Sequence, residues 1–98
     1  MYNNELEKIR HLLVIHDLQG QRTIPLEMAS YSIGRDPRNS IALFDSSTSR
    51  QHAIILRITV PETDEFIFRV IDGSLNGKKS TNGIRVNGKK CLSHDLKN

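Results

Sequence analysis

Three polar segments of this 98-residue sequence carry side chains able to hold a phosphate group: GRDPRNS (34–40), DSSTSRQH (45–52) and KKSTNG (78–83). Each supplies a cation or a hydroxyl. Arginine presents a planar fork that meets two phosphate oxygens at once, and Ser and Thr hydroxyls can donate to the others. Hydrogen bonds with an ionised partner are roughly twice as strong as neutral ones. A few such groups converging on one point would therefore hold a dianion.

The stretch DGSLNGKKSTNG (72–83) also invites comparison with a nucleotide phosphate loop, and fails it twice. That loop needs four residues between its glycines, then Gly-Lys-Ser/Thr. Here only Ser74, Leu75 and Asn76 separate Gly73 from Gly77, and Lys79 stands where the hydroxyl belongs. Such a loop also feeds a helix whose N-terminus helps hold the phosphate, and no helical pattern follows Lys79. A hydrolytic reading of Ser49 and His52 is no better founded. They lie three residues apart without a Gly-x-Ser-x-Gly elbow, and no paired acids or metal-ligand spacing accompany them. No catalytic residue, metal ligand or cofactor is expected.

The elements that must position these segments read as short strands. HLLVIHD (11–17) is mostly apolar, and Gly20 marks a turn after it. RTIPLEM (22–28) alternates, with Ile24, Leu26 and Met28 on one face, while Pro25 points to an edge or an irregularity. SYSIGR (30–35) precedes the turn DPRN, and SIALFD (40–45) puts Ile41 and Leu43 on one side. AIILRITV (53–60) is β-branched and almost continuous, as a well-buried strand would be. FIFRVID (66–72) reads as its hairpin partner across the turn ETDE. GIRVNG (83–88) alternates last, and Asn-Gly at 76–77, 82–83 and 87–88 signals turns. No window beyond residue 10 keeps helical spacing; residues 1–10 form a tail or a short polar helix. The fold class is all-β, an antiparallel sandwich or barrel, over residues 11–98.

Length allows one domain with a real core. No apolar run approaches the roughly 20 residues of a membrane span, and the N-terminus lacks a signal-peptide core. The single cysteine, Cys91, excludes an internal disulfide and points to a reducing compartment, the cytoplasm in the simplest case. The net charge of +3 is unevenly spread. From Arg69 onward seven Lys and Arg face only Asp72 and Asp95, whereas the first thirty residues are slightly acidic. A basic end of this kind suits an anionic partner, or is simply a solvated face.

Taken in order, Gly34-Arg35, then Ser49-Arg50-Gln51-His52, then Ser80-Thr81-Asn82-Gly83 with Asn87-Gly88 beyond, the sequence resembles the forkhead-associated (FHA) domain, a phosphothreonine-peptide-binding β-sandwich. Each motif is weak alone; their order and spacing are specific. The resemblance covers roughly residues 11–98. It implies that Arg35 binds the phosphate and that Ser49 and Thr81 donate hydroxyls to it. Arg50 would reach peptide backbone or phosphate, and Asn82 would hydrogen-bond the bound peptide's backbone. Gly34 would let the chain turn, while His52 and Gly83 would shape the loops, His52 as a brace and not as a base. Lys78 and Lys79 would add a screened positive field. The family prefers phosphothreonine to phosphoserine because the extra methyl enters a small pocket.

Two departures from the family pattern are visible. Ile84 stands where Thr is frequent, which implies altered packing. The sequence also ends at SHDLKN, where relatives continue through a Gly-Asp turn and about two more strands. That implies a C-terminally incomplete sandwich and an open sheet edge available for dimerisation by strand exchange. The expected partner is a phosphothreonine-containing protein in signalling, with no membrane contact. Two other readings stay open: a phosphate-independent assembly module, and a basic nucleic-acid-binding β-domain. The second uses Lys78, Lys79, Arg85, Lys89 and Lys90 but lacks an aromatic stacking platform.

Overall fold

The computed structural model describes residues 11–96, all strand, turn and loop; the expectation of a tail or helix over 1–10 lies outside them. The strands are β1 (Leu12–Asp17), β2 (Gly20–Pro25), β3 (Ser30–Gly34), β4 (Ile41–Ala42), β5 (Ala53–Thr59), β6 (Phe66–Asp72), β7 (Ile84–Val86), β8 (Lys89–Cys91) and β9 (Ser93–Asp95). Five of them form one sheet in the order β4-β3-β5-β6-β9, and β1-β2 and β7-β8 are separate two-stranded ribbons.

Alternation decides which faces meet. In β1, Leu13 and Ile15 turn inward while Leu12, Val14 and His16 face water. Cross-strand pairing sets Leu13 opposite Ile24 of β2. The five-stranded sheet answers with Tyr31, Ile41, Ile55 and Phe68, which join Ile15 and Leu26 in one buried cluster. Leu13, Ile24, Ile33, Leu43, Val70 and Leu96 pack around it. Burying each large apolar side chain contributes about 1.5–3 kcal/mol, so this layer contact is the chief adhesive of the sandwich.

The β5–β6 hairpin forms as the sequence implies, with seven pairs from Ala53↔Asp72 to Thr59↔Phe66. Only Ala53, Ile54 and Ile55 are fully buried, however; from Leu56 onward exposed residues alternate with partly covered ones. The first three residues have the site loops over one face and the core under the other, whereas the far end of β5 is covered on one side.

The structure departs from the strand reading, or adds to it, at four points. β2 stops at Pro25, and Met28 is exposed. The chain turns there because the Tyr31 hydroxyl, anchored in the core, accepts the amides of Glu27 and Met28 at 2.7 and 2.8 Å. The sheet is not wholly antiparallel, since β3 and β4 run parallel through Ile33↔Ile41 and Gly34↔Ala42. Parallel pairs ordinarily need a crossover of a dozen residues or more. Six suffice here because the ladder is two residues long and the loop coils on Asp36, whose carbonyl accepts both the amide and the Nδ2 of Asn39. The segment expected as the last strand is β7 plus a turn at Asn87 (φ 52°) and Gly88 (φ 85°), the left-handed pair of a tight hairpin. Residues 89–95, which carry no strand signal in the sequence, form β8 and β9. β9 covers the edge of β6, pairing Arg69↔Asp95, Val70↔His94 and Ile71↔Ser93.

A cleft where three loops meet

The loops after β3 (35–40), before β5 (43–52) and after β6 (73–83) converge at one end of the sandwich. Backbone hydrogen bonds lace the first two together. The Arg35 amide donates to the Ser49 carbonyl at 3.0 Å, Asp36 to Arg50 at 3.3 Å, and His52 back to Ile33 at 2.8 Å. Gly34 is needed for space and not for turning, because its φ lies outside the left-handed region. A Cβ there would sit against the Arg50 carbonyl oxygen, 2.7 Å from its carbon and 2.9 Å from Asn39 Nδ2. The Arg50 carbonyl is itself held by Asn39 Nδ2 at 2.6 Å.

His52 joins the third loop to the other two. Its Nδ1 accepts the Ser49 amide at 2.9 Å, and its Nε2 lies 2.7 Å from the Gly83 carbonyl oxygen. A carbonyl only accepts, so Nε2 carries the proton and the ring is the neutral Nε2–H tautomer. The third loop then reaches back twice. The Thr81 amide donates to Ser49 Oγ at 2.9 Å, and Asn82 Nδ2 donates to the Ser47 carbonyl at 2.7 Å. Beneath it, the buried carboxylate of Asp72 accepts the Ser80 hydroxyl, and Ser80 Oγ accepts the Gly83 amide at 2.9 Å. Sequence reasoning missed Asp72 and Asn39 altogether and gave Ser80 no role of its own. Their partners are fixed only once the loops have met.

These contacts leave a cleft of about 390 Å³ lined by Arg35, Ser49, Arg50 and Thr81 together with Lys78 and Lys79. Arg35 is steadied through Nε, which donates to the Thr48 carbonyl at 3.1 Å. Its two Nη groups have no protein partner among the described residues. Ser49 Oγ already accepts from Thr81, so its own proton is available to a ligand. Asn82 stands outside the lining, one Nδ2 hydrogen committed to Ser47 and its Oδ1 without a partner among the described residues. Lys78 and Lys79 are in the wall itself. They are carried by a closed loop in which Ser74 N donates to the Lys78 carbonyl and Gly77 N to the Ser74 carbonyl, both at 3.0 Å. At Gly73 (φ 93°) an added Cβ would lie against the Lys78 carbonyl and 3.0 Å from Lys79 Cα, so a side chain would not fit. The DGSLNGKK segment thus forms a backbone-bonded turn that presents Lys78 and Lys79 to the cleft.

One carboxylate belongs to the lining, Asp36, and it is spoken for. Arg38, 2.7 Å away, holds the Asp36 carboxyl down to about 2, mainly through its side-chain hydrogen bond. Asp45 is also lowered, first by the Ser47 amide and then by the Ser47 hydroxyl. A second cleft of about 340 Å³ adjoins the first, sharing Asp36, Gln51, Ser74 and Asn76, and is floored by Ala53 and Ile54. Among the described residues no group of three or more His, Cys, Asp or Glu converges as a metal site, and no helix is long and apolar enough to cross a membrane.

Comparison with known proteins agrees with this architecture. The family model described as FHA domain matches residues 31–98. The crystal structure of the Slr1951 protein from Synechocystis sp. superposes with a TM-score of 0.80 at 36% identity, over 88% of this chain and 80% of that one. Mycobacterium tuberculosis EmbR, solved in complex with a low affinity phosphopeptide, superposes with a TM-score of 0.62 at 25% identity, over 88% of this chain and 20% of EmbR. A Synechocystis sp. protein known as sll1895, described as uncharacterized, is 38% identical over 84 residues. The chain spans 86% of its own length in that match but only 12% of the relative's.

Proposed function

This chain belongs to the FHA-domain family, and we propose on that footing that its loop cleft binds a phosphothreonine side chain presented by a partner protein, without catalysis. The observation that carries the proposal is the convergence of Arg35, Ser49, Arg50 and Thr81 on one cleft, with Arg35 and Ser49 held from behind. EmbR, a structural relative, is itself a phosphopeptide binder.

A phosphothreonine brings a charge of roughly −1.5 to −2 and three acceptor oxygens. The Nη groups of Arg35 take two of these oxygens, and the hydroxyls of Ser49 and Thr81 donate to the phosphate. Arg50 and Asn82 align the peptide backbone, Asn82 through its Oδ1 accepting a peptide N–H. No reorganisation is needed, since the loops are already laced before ligand arrives. Asp or Glu mimics the group poorly, having less charge and a planar acceptor set. The methyl that separates phosphothreonine from phosphoserine is worth about 1–3 kcal/mol when it enters a fitted pocket. The role that follows is that of a signalling adaptor in the cytoplasm, which brings attached partners to a phosphorylated protein.

The test is titration with matched peptides carrying phosphothreonine, phosphoserine or unmodified threonine. Phosphothreonine alone should bind with micromolar affinity, and Arg35→Ala should cost on the order of 2–5 kcal/mol, as removal of one partner of a buried charge pair does. Wild-type affinity in Arg35→Ala would overturn the site assignment. Binding of a partner protein that survives phosphatase treatment unchanged would overturn the phosphate-dependent reading altogether.

A further inference from the structure

The cleft carries more positive charge than one phosphate needs. Four cationic side chains, Arg35, Arg50, Lys78 and Lys79, face the single carboxylate of Asp36, a net of three positive charges in one wall. Asp36 cannot offset the lysines well, because it is already paired with Arg38 at 2.7 Å. A phosphothreonine neutralises at most about two charges. At least one cation is left over in a space meant for an anion.

The backbone that carries the surplus is held in place. The loop that carries Lys78 and Lys79 is closed on itself by the Ser74–Lys78 and Gly77–Ser74 backbone bonds, and the Lys78 amide donates to Asn76 Oδ1 at 3.1 Å. At physiological ionic strength charges are screened beyond about 8 Å, so a general basic surface would contribute little. Two lysines inside the same cleft as Arg35 lie within that distance of any ligand that fills it.

We infer that this cleft takes a doubly anionic peptide: a phosphothreonine with a second anionic group, a carboxylate or a second phosphate, seated against Lys78 and Lys79. The inference rests on the phosphothreonine reading above. An extended peptide advances about 3.3–3.6 Å per residue, which puts the second group within three residues of the first. Because the lysines are exposed at their tips, each contact is of the modest strength of a surface ion pair. Together they yield roughly a tenfold gain in affinity, equivalent to about 1.4 kcal/mol.

The experiment compares four peptides of one backbone by fluorescence anisotropy at physiological salt: phosphothreonine with neutral flanks, phosphothreonine with a nearby glutamate, the same with a second phosphothreonine, and the glutamate peptide without phosphate. A gain of about tenfold on adding the second anion is expected. Its size with glutamate against phosphate identifies the preferred source. In Lys78→Ala/Lys79→Ala the ratio between doubly and singly anionic peptides should fall to about twofold or less. In Lys89→Ala, outside the cleft, the ratio should hold. If the singly phosphorylated peptide binds and the second anion adds nothing, the inference is overturned while the proposed function stands. An equal fall in Lys89→Ala would also overturn it, by tracing the gain to overall charge. If no phosphopeptide binds the folded protein, both readings fall together.

Discussion

His52 does the work of a joint with one small ring. It accepts the Ser49 amide on one side and donates a hydrogen bond to the Gly83 carbonyl on the other. His52→Ala strips both partners at once. An unmet amide or carbonyl in a partly buried site costs about 1–3 kcal/mol, and a urea melt should show a loss of that size. Binding should weaken too, because Ser49 and the third loop lose their common anchor. Long-range ¹⁵N correlation should find the ring neutral with Nδ1 bare; a proton on Nδ1 would contradict the hydrogen-bond assignment. Asp36 offers a second check at this scale. Arg38 lowers its carboxyl from 3.8 to about 2. The folded state therefore prefers the ionised form more than the unfolded chain does. Its contribution to stability is present in full above the unfolded value and disappears as pH falls through about 2. In Arg38→Ala, carboxyl ¹³C titration should move the Asp36 midpoint up toward 3.8. An unmoved midpoint would place the cause elsewhere than in Arg38.

The loops and strands are held by different means, and two glycines separate them. At Gly34 the backbone is ordinary and space is lacking, since a Cβ would meet the Arg50 backbone. At Gly77 there is open space around the Cβ position but φ is 88°. Gly34→Ala should force the first two loops apart and cost at least the 1–3 kcal/mol typical of overpacking, with a parallel loss of ligand affinity. Gly77→Ala should cost only the roughly 1–2 kcal/mol of a left-handed residue, and urea melts of the pair should rank them so. This distinction was invisible in the sequence, where both are glycines in polar turns. What could be read there was whatever a local pattern encodes. The β-branched run 53–60 and its partner 66–72 announce a hairpin, and Asn87-Gly88 announces a turn. β8 and β9 could not be read, because KKC and SHD bury little and are held by backbone pairing to β7 and β6. The cleft was legible as a set of residue types in order, but not its laces. Gly34 meets Arg50 sixteen residues on, and Ser80 meets Asp72 only after the third loop has folded over.

At the scale of the whole molecule, the site straddles a gradient of stability. The first two loops spring from strands that carry the core: Tyr31 in β3, Ile41 in β4 and Ile55 in β5 are all in the buried cluster. The third loop runs from β6, which contributes Phe68 to that cluster, to the β7–β8 ribbon, which contributes no residue to it. Two-stranded ribbons are marginally stable by themselves. This one is tied down mainly by the His52–Gly83 bond, the Asn82–Ser47 bond and the Asp72 amide donating to Leu92 at 2.8 Å. Opening it exposes little apolar surface and breaks few bonds, so it should open far more often than the sheet. Amide hydrogen exchange should therefore show β5 and β6 protected to the level of global unfolding, with residues 84–91 exchanging earlier through local opening. Ligand that bridges Arg35 and Ser49 to Thr81 would clamp the weak side onto the strong one. Saturation with a phosphothreonine peptide should slow exchange most in 78–91 and hardly at all in β5. Equal protection of ribbon and sheet in the free protein would remove the gradient. Uniform slowing on binding would mean that the ligand stabilises the fold as a whole and not the joint between the loops.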